Sequence, residues 1–220
     1  MVKIQVNQQG KAYLTVTGKV LIASEGSGGK YSALQRIKDD SNNEIGTVSG
    51  FFTDSADNEY AVVCLDAQYR LLQGSYCDYI DTAVTDLPEY GTWGLWEAKE
   101  TATHNTQKIL DFCASKSATS SACSHCRSKS FVIDGVTYYG QLPNFLELVD
   151  ICKNYTAIQA ADTSVSQYSA LGFPRTSDRV WCSTQRNRYA CWSIVNEGSA
   201  AISNKAANGF VAPVLEIPNF

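Results

Sequence analysis

The sequence predicts an α+β protein, with two helices between segments that are rich in strands. Residues 1–80 show no helical periodicity and alternate short apolar runs with clusters of Gly, Asn, Asp and Ser, as strands joined by turns do. Two later segments, 105–113 and 144–155, repeat apolar residues at helical spacing. Strands and turns return from residue 181 onward, so the helices are confined to the middle of the chain.

Four strands are predicted in the N-terminal segment. Each is a short run of apolar and β-branched residues between turn-forming residues. They are Ala12–Thr17, Val20–Ala23, Ile45–Phe52 and Tyr60–Leu65. Gly26–Lys30 is predicted to be a flexible turn. A phosphate-binding loop does not fit it, because Ser24 replaces the first glycine and Tyr31 follows the lysine.

The first helix is predicted from residue 105. Four apolar residues recur at spacings of one, three and four positions, which places them on one helical face. They are Ile109, Leu110, Phe112 and Cys113. Thr103 or Asn105 is available as the N-cap. The Ser/Ala/Thr-rich run 115–122 is expected to end the helix.

A hairpin and a second helix follow. The hairpin joins Phe131–Ile133 to Val136–Tyr139, because Asp-Gly at 134–135 favours a tight turn. Asn144 caps the second helix, and Glu147 stands three residues later, as in a capping box. The apolar face of this helix consists of Leu148, Ile151, Cys152 and Tyr155, and the side predicted to be wet consists of Glu147, Asp150 and Lys153.

Alternation along the strand near residue 192 predicts a buried and a displayed face. Trp192 and Ile194 share one parity and are expected to be buried. The displayed parity comprises Cys191, Ser193 and Val195. Turns are expected at 196–198 and 208–209, followed by a closing strand over 210–215.

Composition limits the classes of function. The net charge is −4, whereas nucleic-acid binding usually needs a basic surface. DNA or RNA is therefore not expected as a partner. The sequence has no apolar run of about 18 to 20 residues, and its N-terminus lacks the pattern of a secretory signal. Synthesis without Sec export and no membrane insertion are therefore predicted. Of eight irregularly spaced cysteines, Cys64, Cys113 and Cys152 are expected in the core, with reduced thiols.

The change in sequence pattern near residue 80, from short apolar runs to helical periodicity, predicts two domains. Residues 1–80 would form a β-rich attachment or oligomerisation domain, and residues 81–220 a ligand-binding domain. A homo-oligomer such as a trimer is left open.

Neither a catalytic site nor a cofactor is predicted. The chain has two histidines and no Gly-x-Ser-x-Gly motif, so the usual nucleophile–base pairs are missing. Cys123-Ser124-His125-Cys126 is the strongest candidate for zinc, but structural zinc usually needs a second spaced pair. An ordinary loop is favoured there over a zinc site or a redox motif.

Three segments carry a family resemblance. They are Thr101–Thr106, Tyr139–Asn144 and a terminal run in which Trp181-x-Ser-Thr, Ala-x-Trp192, Gly198 and Val211-x-Pro-Val follow one another. Residues 85–217 thereby resemble a C-type-lectin fold, in the branch that includes formylglycine-generating enzymes, phage tail-fibre tips and variable proteins of diversity-generating retroelements. The calcium-binding Glu-Pro-Asn and Trp-Asn-Asp motifs of animal lectins do not occur.

The resemblance implies a ligand surface between two scaffold tryptophans, Trp181 and Trp192. Its predicted members are Cys182, Arg186, Asn187, Arg188, Tyr189, Cys191 and Ser193. In the retroelement-diversified relatives, mutation at adenines turns asparagine codons into many residues, and all seven are reachable from such codons. Trp93 and Trp96 are expected in the core with the two scaffold tryptophans. The arginines at 175, 179, 186 and 188 form either a solvated turn or a contact for an anionic ligand.

The resulting hypothesis is a non-enzymatic receptor-binding protein, such as a tail-fibre tip or a retroelement-diversified variable protein. Its partner would be a protein or glycan receptor on a cell surface, and residues 1–80 would contact other virion proteins. The expected location is the virion or the cell surface. Two alternatives stay open: an oxidase of the formylglycine-generating type that uses Cys182 and Cys191, and a host-side lectin or adhesin.

Overall fold

The computed structural model describes strands at 3–6, 12–16 and 19–22, and residues 29–79, 82–92, 94–172, 179–195 and 199–220, with side chains from residue 29 onward. The fold is α+β. Its strands are β1 Lys3–Val6, β2 Ala12–Val16, β3 Lys19–Ile22, β4 Arg36–Lys38, β5 Glu44–Thr53, β6 Glu59–Leu65, β7 Leu71–Ser75, β8 Ser130–Ile133, β9 Val136–Tyr139, β10 Val180–Gln185, β11 Ala190–Val195, β12 Ser199–Asn204, β13 Asn208–Val211 and β14 Val214–Pro218. The α-helices are α1 Ala102–Ser115, α2 Ser121–Arg127 and α3 Phe145–Ala161, with 3-10 turns at Ala67–Tyr69, Gly94–Glu97, Thr163–Ser166 and Ser169–Leu171.

A five-stranded sheet lies at the centre of the described fold. Its strand order is β12-β11-β10-β13-β7, and only the β10–β13 pair is parallel. On one face Trp192 packs with residues of α3, including Phe145 and Leu148. On the other face Trp181 packs with residues of α1 and α2, including Phe112. Because both faces are covered, all six residues of β10 are buried.

A four-stranded antiparallel sheet, in the order β14-β6-β5-β4, shares the first of these cores. Val62 and Cys64 of β6 pack with Leu148 and Trp192. The opposite face of this sheet packs with Phe131 and other residues of the β8–β9 hairpin. A third sheet has the order β1-β2-β3, in which β2 pairs antiparallel with β1 and with β3.

Strand pairing crosses the boundary predicted near residue 80. β6 pairs with β14 from Tyr60↔Pro218 to Cys64↔Val214, and β7 pairs with β13. The prediction of separate domains on either side of residue 80 is therefore corrected for residues 29–220, which share cores. The expected closing strand over 210–215 is likewise two strands in different sheets, separated at 212–213.

The helices begin close to their predicted positions. α1 begins at Ala102, because the N-cap is Thr101, whose side chain accepts from the N–H of His104 (3.1 Å); the prediction of Thr103 or Asn105 as the N-cap is wrong. The capping box of α3 is confirmed, with reciprocal hydrogen bonds between Asn144 and Glu147. Glu147 is nevertheless buried, so the prediction that this residue faces water is wrong.

Two local predictions have different outcomes. The hairpin turn is confirmed, with Asp134 and Gly135 at φ 52° and 75°, as a two-residue hairpin turn of this type requires. The predicted loop around Cys123 is wrong, since residues 121–127 form α2, which Ser120 caps by accepting from the Cys123 N–H (3.1 Å). No helix among the described residues is long and apolar enough to span a bilayer.

Candidate ligand-binding site

The turn between β10 and β11, residues 186–189, is fixed by its own hydrogen bonds. The Asn187 side-chain oxygen accepts from the backbone N–H groups of Tyr189 (2.9 Å) and Ala190 (3.0 Å). The Ala190 carbonyl accepts from the N–H groups of Arg186 and Asn187. A short asparagine side chain suits this role, because it can satisfy backbone donors two and three residues ahead. The turn is thus a defined platform for its side chains.

Two arginines and a tyrosine project from this turn. The Arg188 guanidinium lies 4.5 Å from the centre of the Tyr189 ring, and the Tyr189 side chain is 46% exposed. Arg186 is half-buried and its guanidinium lies 5.8 Å from the Trp192 ring. Among the described residues, no carboxylate forms an ion pair with Arg186 or Arg188. Both cations are therefore available to an anionic group of a ligand.

Two exposed apolar side chains, Ile202 and Trp96, lie near the buried core that contains Trp192. Ile202 of the edge strand β12 stands opposite Trp192 and is 54% exposed. Phe145 lies 6.1 Å from the Trp192 ring and 5.4 Å from the ring of Trp96, which is 58% exposed. The Trp192 indole N–H donates to the Tyr90 carbonyl (2.9 Å). We call Trp96, Ile202 and the turn residues 186–189 the rim surface.

A buried glutamine supports the rim surface from below. The Gln185 side-chain oxygen accepts from the Val84 N–H (2.7 Å) and the Lys205 ammonium (2.8 Å), and its amide donates to the Leu87 carbonyl (3.3 Å). The Gln185 carbonyl accepts from the Tyr90 N–H. These bonds attach the end of β10 to residues 84–90. Sequence reasoning missed Gln185, because no local pattern marks a side chain whose partners lie 98 and 101 positions earlier and 20 positions later in the chain.

Three of the seven predicted contact residues are buried, which corrects their assignment to a displayed surface. Cys182, Cys191 and Ser193 are each 0% exposed. The Cys182 thiol donates to the Trp192 carbonyl (3.0 Å), and the Ser193 hydroxyl lies 3.0 Å from the Ser203 hydroxyl. The alternation of β11 is real, but helices cover both faces of the sheet. Only Arg186, Asn187, Arg188 and Tyr189 reach solvent.

Burial also makes the two cysteines poor nucleophiles. It raises the pKa of Cys182 to about 12 and raises the pKa of Cys191 well above its usual value. The two thiols lie in cores on opposite faces of the five-stranded sheet. Because the thiolate is the reactive form, this arrangement disfavours the oxidase chemistry that a cysteine pair would perform.

The tryptophans divide between scaffold and surface. Trp181 and Trp192 are buried, as predicted, and the Trp181 indole N–H donates to the Gly74 carbonyl (2.6 Å). The prediction that Trp96 lies in the core is wrong, since Leu95 fills the core at this 3-10 turn and Trp96 next to it is exposed. In the sequence, the one sign that Trp96 is exposed is its position directly after Leu95, the residue that fills the core. Trp93 lies outside the described residues.

The other predicted functional groups do not join the rim surface. The Arg179 guanidinium lies 5.3 Å from the Trp181 ring, and Arg175 lies outside the described residues. His125 forms a 2.7 Å hydrogen bond with the Tyr69 carbonyl, and Cys123 and Cys126 are buried. The described residues contain no group of three or more His, Cys, Asp or Glu side chains arranged for a metal ion.

The rim surface combines the residue types that dominate binding hot spots. Trp96 and Tyr189 offer ring faces, and Arg186 and Arg188 offer planar sets of N–H donors. This set can stack on a sugar or aromatic ring and donate paired hydrogen bonds to a carboxylate, sulfate or phosphate. The chemistry fits recognition of a ligand.

Comparisons with known proteins give one structural likeness. No protein-family model and no curated protein matches the sequence. The fold is similar to that of a fimbrial protein from Bacteroides ovatus ATCC 8483, with a TM-score of 0.54 and 11% sequence identity. The match covers 99% of this chain and 49% of that chain, so this chain spans about half the length of that protein. At this identity the likeness concerns the fold alone.

Proposed function

We propose that this chain is a non-enzymatic binding protein of the adhesin type, which recognises a receptor on a cell surface through the rim surface. The observation that carries the proposal is the exposed Tyr189 beside Arg188, next to Arg186 on the Trp192 ring, with no carboxylate partner of either arginine among the described residues. The shared fold with a protein described as fimbrial agrees with this proposal.

The rigidity of the support is a second argument for binding. Asn187 closes the turn, and Gln185 attaches it to residues 84–90. A contact residue that is already ordered loses less conformational entropy when a ligand binds. The ligand class that fits this surface is an anionic glycan or an anionic patch of a receptor protein.

The more specific hypotheses remain predictions of the resemblance to the C-type-lectin fold. If the chain is a tail-fibre tip or a retroelement-diversified protein, diversification at Arg186–Tyr189 would alter the surface, whereas diversification at Cys182, Cys191 and Ser193 would alter the core. The role of β1–β3 in attachment to a virion or in oligomerisation is likewise a prediction.

Binding to arrayed glycans and to cultured cells tests the proposal. The array contains neutral, sialylated and sulfated sugars, and the cells present receptor proteins. We expect binding of the wild-type chain to an anionic probe, and a loss of at least about tenfold in affinity for a combined Arg186→Ala, Arg188→Ala, Tyr189→Ala variant. Trp96→Ala should cause a separate loss.

Leu72→Ala and Val136→Ala are matched controls, because both side chains are about half exposed and lie on other strands. Their binding should equal that of the wild type. The proposal is wrong if the combined variant binds as tightly as the controls, or if the wild-type chain binds none of the probes.

A further inference from the structure

Two cysteine thiols face each other beside the central sheet. Cys77 lies two residues after the end of β7, and Cys113 lies in the last turn of α1. Their sulfur atoms are 3.1 Å apart, although 36 positions separate them in the chain. Both side chains are almost fully buried. Their approach comes from the packing of β7 and α1, and it brings together the two atoms that a disulfide would join.

The surroundings of Cys77 stabilise its thiolate. The hydrogen bond from Cys113 lowers the pKa of Cys77 to about 7, the Tyr79 N–H donates to the same sulfur (3.4 Å), and the Lys205 ammonium acts in the same direction. Burial opposes this effect, and Asp78 opposes it to a smaller extent. The pKa of Cys113 is raised, chiefly by its hydrogen bond to Cys77 and then by burial. The pair therefore releases one proton near neutral pH and retains the other.

Lys205 is a buried cation that lacks a carboxylate partner among the described residues. Its ammonium donates to Gln185 (2.8 Å) and lies 5.8 Å from the Tyr76 ring. Its carbonyl accepts from the Cys77 N–H (3.0 Å), so the two residues are neighbours. Burial lowers the pKa of Lys205, and a Cys77 thiolate favours the charged form of this lysine, as Cys191 also does.

The other cysteines lack this environment. Burial raises the pKa of Cys64 to about 11 and the pKa values of Cys123, Cys152 and Cys182 to about 12. All eight cysteines lie within the described residues, and Cys77 and Cys113 are the two whose sulfur atoms contact each other. A reagent that selects thiolates should thus select this pair.

We propose that Cys77 and Cys113 are a redox-active dithiol, which a small hydroperoxide converts into an intramolecular disulfide. The Cys77 thiolate attacks an oxygen of the hydroperoxide, an S–O bond forms, the O–O bond breaks, and the leaving oxygen takes a proton to become an alcohol or water. The Cys113 sulfur then attacks the sulfenic sulfur of Cys77. The S–S bond forms, the S–O bond breaks, and hydroxide leaves with the Cys113 proton as water. Two thiols are oxidised and one hydroperoxide is reduced.

The buried position of the pair favours this class of oxidant. A hydroperoxide is small and uncharged, so it reaches a buried thiolate more readily than a bulky disulfide does. The product would join the end of β7 covalently to α1, across 36 positions of the chain. A crosslink of this span restricts the unfolded chain, so the oxidised protein should melt at a higher temperature than the reduced protein.

Oxidation of the full chain by hydrogen peroxide tests the proposal, and no receptor is needed. The reaction is quenched at intervals, free thiols are labelled under denaturing conditions, and the peptides are mapped by mass spectrometry. We expect joint loss of two of the eight thiols and a crosslinked peptide that contains Cys77 and Cys113. The rate should rise with pH around a midpoint near 7, where the pair releases its first proton.

Three variants separate the steps. Cys77→Ser should abolish the rapid reaction, whereas Cys113→Ser should leave a sulfenic acid at Cys77 that dimedone traps. Cys64→Ser is the matched control and should react as the wild type does. The proposal fails if wild type and Cys77→Ser lose thiols at the same rate, or if other cysteines react first. If a variant does not fold, the wild-type peptide map alone decides, because a crosslink between other cysteines overturns the assignment.

Discussion

The turn at 186–189 and the two strands that it joins belong to one short segment, yet their environments are opposite. Arg188 and Tyr189 are exposed, whereas Cys182, Cys191 and Ser193 are completely buried. Alternation along a strand assigns side chains to two faces, but the layers packed on the sheet decide whether either face meets water. Here α3 covers one face, and α1 and α2 cover the other. Tolerance to substitution should therefore differ sharply between the turn and the strands.

A charged residue in the strand should break the fold. We expect Ser193→Arg to prevent folding or to destabilise it by more than about 4 kcal/mol, because it places a guanidinium where only the Ser203 hydroxyl and backbone carbonyls are available. Arg188→Ser, the matched exchange in the turn, should change stability by less than about 0.5 kcal/mol. Circular dichroism and urea titration measure both. Equal stability of the two variants would show that β11 has an uncovered face.

A methyl group at Gly209 should disturb the same sheet more mildly. A Cβ there would lie 2.9 Å from the Trp181 indole nitrogen and 3.1 Å from the Arg179 carbonyl. The indole cannot move aside easily, because its N–H is bonded to the Gly74 carbonyl. Gly209→Ala should therefore destabilise the protein by about 1–3 kcal/mol. Gly91→Ala is the control, since a Cβ there would meet nothing within 4 Å. Thermal melts that coincide for the two variants contradict this account.

A second comparison is between the buried carboxyl of Glu147 and the exposed acidic residues. The pH dependence of stability should distinguish them. Burial, and then the neighbouring Glu216, raise the pKa of Glu147 well above its usual value. Oε1 of Glu147 has no hydrogen-bond partner among the described residues. A proton shared between Glu147 and Glu216 would give this oxygen a partner. The folded chain then holds a proton that the unfolded chain releases above about pH 4.3. The contribution of Glu147 to the free energy of unfolding therefore falls as pH rises above that value.

Glu147→Gln keeps the acceptor for Asn144 and replaces the proton by an amide. The stability of this variant minus that of the wild type should rise with pH, because only the wild type loses stability as its unfolded chain releases the proton. One proton is involved, so the slope is at most about 1.4 kcal/mol per pH unit. Urea titrations at pH 4 to 9 measure this difference. A difference that does not change with pH would mean that Glu147 is ionised in the folded protein.

Local patterns predicted the parts of the fold whose partners are close in sequence. The capping box of Asn144 and Glu147, and the turn at Asp134 and Gly135, involve residues at most three positions apart. The pairing of β6 with β14 joins residues about 150 positions apart, and no local signal specifies it. The same limit explains the burial of Glu147, because its cap is local but its neighbour Glu216 lies in β14, far later in the chain.

The candidate site shows the same limit. The turn residues were predicted from the family resemblance, as positions between Trp181 and Trp192, and Arg188 and Tyr189 are indeed exposed. The buried set was misassigned, because the helices that cover β11 come from other parts of the chain. Trp96 was missed for the converse reason, since large aromatic residues are usually buried and only the neighbouring Leu95 indicates otherwise.

The hydrogen bonds of the Asn187 side chain should contribute little to stability but should matter for binding. Asn187→Ala removes the side-chain oxygen that accepts from the Tyr189 and Ala190 N–H groups, which should cost about 1 kcal/mol because water can reach part of this turn. If the turn must be rigid to bind, this variant should lose more affinity for the receptor probe than its small loss of stability suggests. Asn187→Asp keeps the acceptor and should retain both. Binding assays and urea titrations of the two variants decide whether binding depends on a turn that Asn187 holds rigid. If the contact side chains act without that support, Asn187→Ala would bind as tightly as the wild type.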